Sequence, residues 1–246
     1  MSVSVRTKDT IMYLSCISNS ACIAGFTTRY GGVSTNKYAS LNTGLNTKDT
    51  KKNIVHNRNL FFNTITPGYK PVCLEQIHSN SVHKVDSQYE SPQQGDAFYT
   101  RKKGILLTIT TADCAPILIH DTQYTIIAAI HSGWRGAHSH IIENTISELS
   151  QYVTPESLHA YIGPMIQQSA YKVGEEFYTF FPSTYIQKIK NAFHFNLNQY
   201  IEDTLTKCNI GTITNTKLCT HGNPNLFYSY RRDSETGRIM SYIGLK

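Results

Sequence analysis

The 246 residues carry 23 lysines and arginines against 17 aspartates and glutamates, a formal net charge of +6, with 40% hydrophobic and 16% charged residues. Apart from short runs such as Arg101-Lys102-Lys103 and Arg231-Arg232 the basic residues are dispersed, which argues against a nucleic-acid surface but suffices for a small anion such as phosphate. No run approaches the roughly 18 to 20 apolar residues that cross a bilayer, and six cysteines without a C-x-x-C pair, in a chain long enough to bury its own core, fit a reducing compartment.

Taken in chain order, Ile11–Phe26 reads as two short strands around a turn, because Ser15, Ser18, Asn19 and Ser20 interrupt what could pass for a signal-peptide core. Ile54–Phe62 has helical character. Three Ile-, Leu- and Thr-rich runs, Ile105–Thr110, Ala115–His120 and Thr125–His131, predict neighbouring strands of a buried sheet, with Asp121-Thr122-Gln123 turning between the last two. Beyond Gly133-Trp134-Arg135-Gly136 the spacing of Ile141, Ile142, Ile146, Leu149 and Val153 predicts a helix ended by Pro155. Glu175–Phe181 reads as helical, and a further helix is expected from Asn196 as N-cap to about Cys208, with Leu197, Ile201 and Leu205 inward. Leu226–Tyr230 and Arg238–Leu245 read as strands joined by Asp233–Gly237. With no linker or repeat, residues 1–246 are expected to form one α+β domain with mixed sheets, in the cytoplasm.

Three segments set a metal-competent side chain beside residues that turn the chain: Glu75-Gln76-Ile77-His78-Ser79, Thr111-Ala112-Asp113-Cys114-Ala115-Pro116 and His131-Ser132-Gly133-Trp134-Arg135-Gly136. His131 ends an apolar strand just before a helix start, a place where ligands and anions gather. Cys114 sits at a strand junction where Pro116 blocks an ordinary ladder. One thiolate and two imidazoles would make a three-donor zinc site with its fourth position open. Each residue alone also fits a purely structural part, as a buried small thiol or a strand-end imidazole, and the spacing follows no zinc-finger rule.

With these motifs the chain resembles the YfiH/YlmD-like (laccase-domain) family. The likeness runs through Phe26-Thr27-Thr28-Arg29-Tyr30-Gly31-Gly32-Val33-Ser34, Ser40-Leu41-Asn42-Thr43-Gly44, Asn57-Arg58, Gln76-Ile77-His78 and Gly95-Asp96-Ala97, then the cysteine and second histidine motifs. It continues through Ile162-Gly163-Pro164, Tyr171-Lys172-Val173-Gly174, Cys219-Thr220, Phe227-Tyr228-Ser229-Tyr230-Arg231-Arg232-Asp233 and Thr236-Gly237-Arg238. Ser79 replaces a common Gly, Ala137 follows the Gly-Trp-Arg-Gly turn, and Asn196-Leu197 replaces a frequent Asp-Leu. The resemblance implies a fold of two packed mixed β-sheets flanked by helices and a metal, zinc with copper as the alternative, on His78, Cys114 and His131. It also implies a purine nucleoside phosphorylase acting on adenosine, inosine and methylthioadenosine, with adenosine deaminase activity beside it.

In that chemistry Cys114, His131 and Asp113 are the candidate catalytic residues, although Asp113 fits equally an acceptor that orients a ligand or a backbone turn. Glu75 also lies close to a ligand in sequence. Arg58, Arg29 and Asn42 are the substrate-binding candidates, the arginines for phosphate and the amide for sugar or base. On a strand, Arg231 and Arg232 would alternate, so one at most could face the site. Trp134 reads as a packing anchor, and His138 and His140 as helix-start residues. The substrates are then small molecules, with no nucleic acid, membrane or protein partner expected. Competing readings are a cysteine amide hydrolase using Cys114, a peptidoglycan-precursor amidase among them, a copper-dependent polyphenol oxidase, and a non-catalytic metal-binding protein.

Overall fold

The computed structural model describes residues 3–86 and 93–246. β1 (Ser4–Lys8), β2 (Ile11–Ser18) and β3 (Cys22–Thr27) form an antiparallel meander, with Asn19 Oδ1 accepting from Ala21 and Cys22 N–H in the second turn. The hydroxyl of Thr50 accepts from Asn53 N–H and caps α1 (Lys51–Ile65), so this helix outruns the expected Ile54–Phe62 at both ends. β4 (Lys70–Cys73), β5 (Val82–Lys84) and β6 (Ala97–Thr100) follow. β7 (Ile105–Thr111), β8 (Ala115–Asp121) and β9 (Ile127–Ser132) are the three strands expected from their branched and apolar composition. The Asp121 carboxylate closes the β8–β9 turn by accepting from Gln123, Thr125 and Ile126 N–H and from the Thr125 hydroxyl.

Next come α2 (Trp134–His138) and α3 (Ile141–Leu149), which buries Ile141, Ile142, Ile146 and Leu149 on the expected stripe but ends before the expected Val153 and Pro155, then β10 (Leu158–Ile162) and β11 (Lys172–Val173). α4 (Phe177–Phe180) is a single turn rather than the helix expected over Glu175–Phe181. Phe181 precedes Pro182, and its extended backbone (φ −135°, ψ 148°) ends the helix there. β12 (Ile186–Ile189), β13 (Ala192–Phe195) and α5 (Leu197–Lys207) follow, the last capped by Asn196 and burying Leu197, Ile201 and Leu205 as expected. β14 (Thr212–Asn215), α6 (Tyr230–Asp233) and β15 (Ile239–Leu245) complete the chain. The strand expected over Leu226–Tyr230 does not form. Phe227 and Tyr228 are consecutive and both fully buried, which an alternating strand with one solvated face would not allow, and Ser229 then caps α6 by accepting from Arg232 N–H.

Two six-stranded mixed sheets result, ordered β1-β2-β3-β15-β7-β4 and β14-β10-β8-β9-β6-β5, beside a small sheet β11-β13-β12. Alternation along each strand sorts its side chains between layers. Leu107 and Ile109 of the first sheet meet Phe98, Leu118 and Ala129 of the second in the central core, whereas Leu106 turns outward to Phe61 and Ile65 of α1. Ile117, Ile119 and Ile130 turn to the other face and pack on α3 and α5. The order is thus helix, sheet, sheet, helix, an α+β arrangement as expected. β7 lies in the first sheet and β8 in the second, so Ala112, Asp113 and Cys114 are where the chain crosses between them. Among the described residues no helix is long and apolar enough to cross a membrane, and all six cysteines are free.

Candidate active site

The crossing brings Cys114 between two imidazoles. His131 arrives at the end of β9, and His78 from the segment between β4 and β5. Their ligand atoms lie within 4.8 Å of one another, with Cys114 Sγ 3.8 Å from His78 Nε2 and the two rings edge to face at 4.9 Å. His131 is buried, Cys114 half-buried and His78 exposed, so the trio opens to one side. Gly133 makes room for it: a Cβ there would stand 2.8 Å from Cys114 Sγ and 3.1 Å from His78 Cδ2.

Burial opposes ionisation of Cys114, but His131 and His78 outweigh it and bring the thiol down to about 6. Burial likewise opposes charge on His131, yet the Cys114 thiolate and the Asp96 carboxylate raise the imidazole to about 9. Without metal the pair is therefore a thiolate beside an imidazolium at neutral pH.

The trio faces a cavity of about 690 Å³ lined also by Glu75, Trp134, Ile166, Tyr171, Leu197 and Tyr230. Four arginines reach it: Arg58, Arg135, Arg231 and Arg238. Among the described residues none of the four is ion-paired with a carboxylate. Backbone carbonyls and aromatic faces hold them instead. Arg58 donates to Thr43 O at 3.2 Å and lies 5.4 Å from the Phe62 ring centre, and Arg238 donates to Thr236 O and Gly237 O at 2.9 Å each. Arg231 donates to Lys172 O and stacks 5.2 Å from Tyr171, and Arg135 stacks 4.4 Å from Trp134. Burial lowers the pKa of Arg58 and of Arg238, a cost that an anion in the cavity would relieve.

Residues 23–246 match the family model described as multi-copper polyphenol oxidoreductase laccase. The Shigella flexneri purine nucleoside phosphorylase YfiH is 34% identical over 225 residues, 89% of this chain and 91% of that protein. Purine nucleoside phosphorylase YlmD of Bacillus subtilis is 31% identical over 93% of this chain and 90% of its own. A Neisseria meningitidis protein of known structure superposes with a TM-score of 0.89 at 30% identity, over 95% of this chain and 99% of that one. The chain belongs to the multi-copper polyphenol oxidoreductase laccase family. That is the laccase-domain resemblance carried by its motifs, and the family's YfiH and YlmD members are those it resembles.

Within this laccase-family fold the other expected residues are placed unequally. Arg58 and Asp113 line the cavity, whereas Arg29 and Asn42 do not. Arg29 spends its guanidinium on Ala39 O at 2.7 Å and Pro224 O at 2.8 Å and lies over the Tyr228 ring, so it ties loops together. Asn42 is fully buried; its Oδ1 accepts from Gly44 and Arg238 N–H and its Nδ2 donates to Thr47 and Asp49, which shapes the cavity loop from behind. Asp113, with φ +97°, has both carboxylate oxygens occupied, Oδ1 by Thr220 Oγ1 at 2.6 Å and Oδ2 by Arg231 N at 2.7 Å and Ser229 Oγ at 3.0 Å. It orients no imidazole; it is the clasp that fastens the C-terminal segment to the crossing. Arg231 and Arg232 sit on α6, not on a strand, and only Arg231 reaches the cavity, because Arg232 binds Thr220 O, His221 O, Phe227 O and Asp233. Trp134 packs on Phe177 and Phe180 as an anchor whose remaining surface lines the cavity. His138 faces Phe180 O and His140 faces Glu143, both off the lining.

The residue singled out by geometry but not by sequence reasoning is Asp96, fully buried, with Oδ1 2.7 Å from His131 Nδ1. Burial works against its charge, yet the bonds from His131 and Ser79 hold it below the usual carboxylate range. Its Gly95-Asp96-Ala97 motif was visible, but its partner stands 35 residues away.

Proposed function

We propose that this chain is a zinc-dependent purine nucleoside phosphorylase that converts adenosine, inosine and methylthioadenosine to free base and sugar 1-phosphate, with adenosine deamination as a second activity. The observation that carries the reading is the His78, Cys114 and His131 donor set opening onto a cavity with four arginines that no carboxylate among the described residues neutralises. The donors fit a metal: three convergent lone pairs of the right kind, and a gap at Gly133 that any side chain would fill. Zinc on these three side chains would supply a Lewis acid with a fourth position open at the cavity, and copper would suit the same donors.

In phosphorolysis a phosphate oxygen attacks ribose C1′ while the bond from C1′ to the base nitrogen breaks; the bond's electron pair leaves with the base, which takes up a proton. Arg58 is assigned the phosphate, since its guanidinium is fixed by Thr43 O and Phe62 and has no carboxylate partner among the described residues. Glu75 is assigned the proton movements, because of the two acidic residues on the lining Asp113 already accepts three hydrogen bonds. Deamination exchanges the purine amino group for water and releases ammonia, so it uses the same cavity without phosphate. Purified zinc-loaded protein with inosine should release hypoxanthine and ribose 1-phosphate only when phosphate is present. Hypoxanthine release indifferent to phosphate would refute the phosphorylase reading.

One observation favours a second reading. A thiolate beside an imidazolium is also the resting state of a cysteine nucleophile, which supports an amide hydrolase built on Cys114. Metal content separates the two: the nucleophile would be metal-free and quickly alkylated, the ligand zinc-bound and protected.

A further inference from the structure

We propose that Asp96 is the positioning residue of the metal centre, one carboxylate that sets the direction of both imidazole donors. The inference rests on the reading of His78, Cys114 and His131 as metal ligands and extends it to a residue outside the donor set.

The two oxygens of Asp96 are divided between the two histidine segments. Oδ1 meets His131 Nδ1 at 2.7 Å, which turns the other ring nitrogen, Nε2, towards Cys114 and His78. Oδ2 accepts from Ile77 N–H at 3.3 Å, from Ser79 N–H at 2.5 Å and from the Ser79 hydroxyl at 2.8 Å. These donors bracket His78, whose backbone is left-handed at φ +61°. A histidine seldom holds that conformation without support, and here the carboxylate pins the residues on each side of it. Backbone bonds lock the register: His131 N–H donates to Asp96 O at 2.7 Å, and Asp96 N–H to Ser81 O at 3.3 Å. Asp96 is thus bonded to the strand that ends in one ligand and to the turn that carries the other. It is fully buried, so water cannot substitute for it. Ser79 contributes its hydroxyl as well as its N–H, which makes the clamp tighter by one donor.

An amide cannot do the same work. The carbonyl oxygen of Asn could serve the 77–79 turn only if its NH2 faced His131, whose Nδ1 would then have to accept. That moves the ring proton to Nε2, the atom meant for the metal. In the other orientation the NH2 meets the Ile77 and Ser79 donors, and the His78 turn loses its anchor. Either way one imidazole is misdirected.

The test is zinc affinity, measured by competition with a chromophoric chelator near neutral pH, on wild type, Asp96→Asn and Asp121→Asn. Asp121 is the matched control: a buried carboxylate that accepts several backbone N–H bonds in a turn away from the cavity. Asp96→Asn should bind zinc roughly 10- to 100-fold more weakly, while Asp121→Asn loses stability but binds as wild type does. A folded Asp96→Asn with wild-type affinity overturns the proposal. Should that variant not fold, imidazole nitrogen NMR of zinc-loaded wild type decides. Asp96 requires the His131 proton on Nδ1 and the metal on Nε2, and the reverse arrangement refutes it. A wild type that takes up no zinc removes the metal reading itself, and the Asp96 role with it, which differs from equal binding by both proteins.

Discussion

Two buried aspartates organise the cavity, and they do so on different targets. Asp96 gives its oxygens to His131 and to the turn around His78, so its work is spent on the proposed metal donors. Asp113 stands beside the third proposed donor, Cys114, yet gives its oxygens to Thr220, Ser229 and Arg231 N–H, so its work is spent on the segment that carries an arginine into the cavity. Nearness in sequence to a ligand is therefore a poor guide to what a carboxylate serves. The pattern instead separates a donor half, fixed by Asp96, from a cationic half whose arginines rest on backbone carbonyls and aromatic rings. The two halves should fail separately when they are broken.

The largest effect is expected from Cys114→Ala. It removes one of three donors without touching any bond made by Asp96 or Asp113, so stoichiometric zinc and both activities should be lost while thermal unfolding stays cooperative. Full zinc content in this variant would dissolve the donor half as a unit. On the cationic half, Arg58→Ala should lower phosphorolysis of inosine by about 30- to 1000-fold, equivalent to roughly 2 to 4 kcal/mol of transition-state stabilisation. Ammonia release from adenosine, which uses no phosphate, should change far less. Arg29→Ala is the comparison: its guanidinium holds Ala39 O and Pro224 O, so stability should fall with the ratio of the two activities unchanged. Equal loss of both activities in Arg58→Ala would return that residue to the shared nucleoside site.

How far the sequence reveals this arrangement depends on the range of the interaction that fixes each part. β7, β8, β9, α3 and α5 follow from their own residue patterns, because the period of Ile and Leu in each already encodes which face is buried. The donor trio could be named from side-chain chemistry and turn residues together with the family resemblance. The aspartate roles were not legible, since the partners of Asp113 lie at Thr220, Ser229 and Arg231 and those of Asp96 at residues 77, 79 and 131. The segment Leu226–Tyr230 was misread as a strand for the same reason. Its apolar residues are drawn into the central core and its Ser229 to Asp113, neither of which local spacing shows.

A smaller effect, on stability, tests the clasp. In Asp113→Asn one side-chain oxygen becomes an NH2 that faces hydrogen-bond donors, leaving buried groups of Thr220, Ser229 or Arg231 unmatched, a loss of roughly 1 to 3 kcal/mol. Urea midpoints should record that loss while one zinc per chain is still bound. If zinc were lost as well, the separation into two halves would not hold, and Asp113 would have to be counted with the donors through its neighbour Cys114.

The last effect is a slope, and it concerns the donor half alone. Zinc needs lone pairs from the Cys114 thiolate and from His131 Nε2, so any proton on either opposes binding. Despite the burial that works against both charges, the two groups perturb each other in the metal-free protein, bringing Cys114 down to about 6 and, with Asp96, His131 up to about 9. Between those values the thiolate is already formed and the imidazole still holds its proton. Uptake of zinc then expels one proton, and affinity should climb tenfold per pH unit, or about 1.4 kcal/mol. Above about 9 His131 is neutral and the curve should flatten; below about 6 the thiol must ionise as well, and the curve should steepen beyond one proton. The sign is fixed throughout: acid weakens the metal site, and the dependence already runs on the alkaline side of ordinary histidine titration because the thiolate holds the His131 proton. Calorimetric titration with zinc in buffers of differing ionisation enthalpy counts the protons directly. One proton released near neutrality is expected whichever of the two groups holds it, so the ultraviolet absorbance of the metal-free protein decides: a Cys114 thiolate band at neutral pH supports the thiolate–imidazolium pair, whereas its absence would mean that Cys114 and His131 are not coupled before the metal arrives.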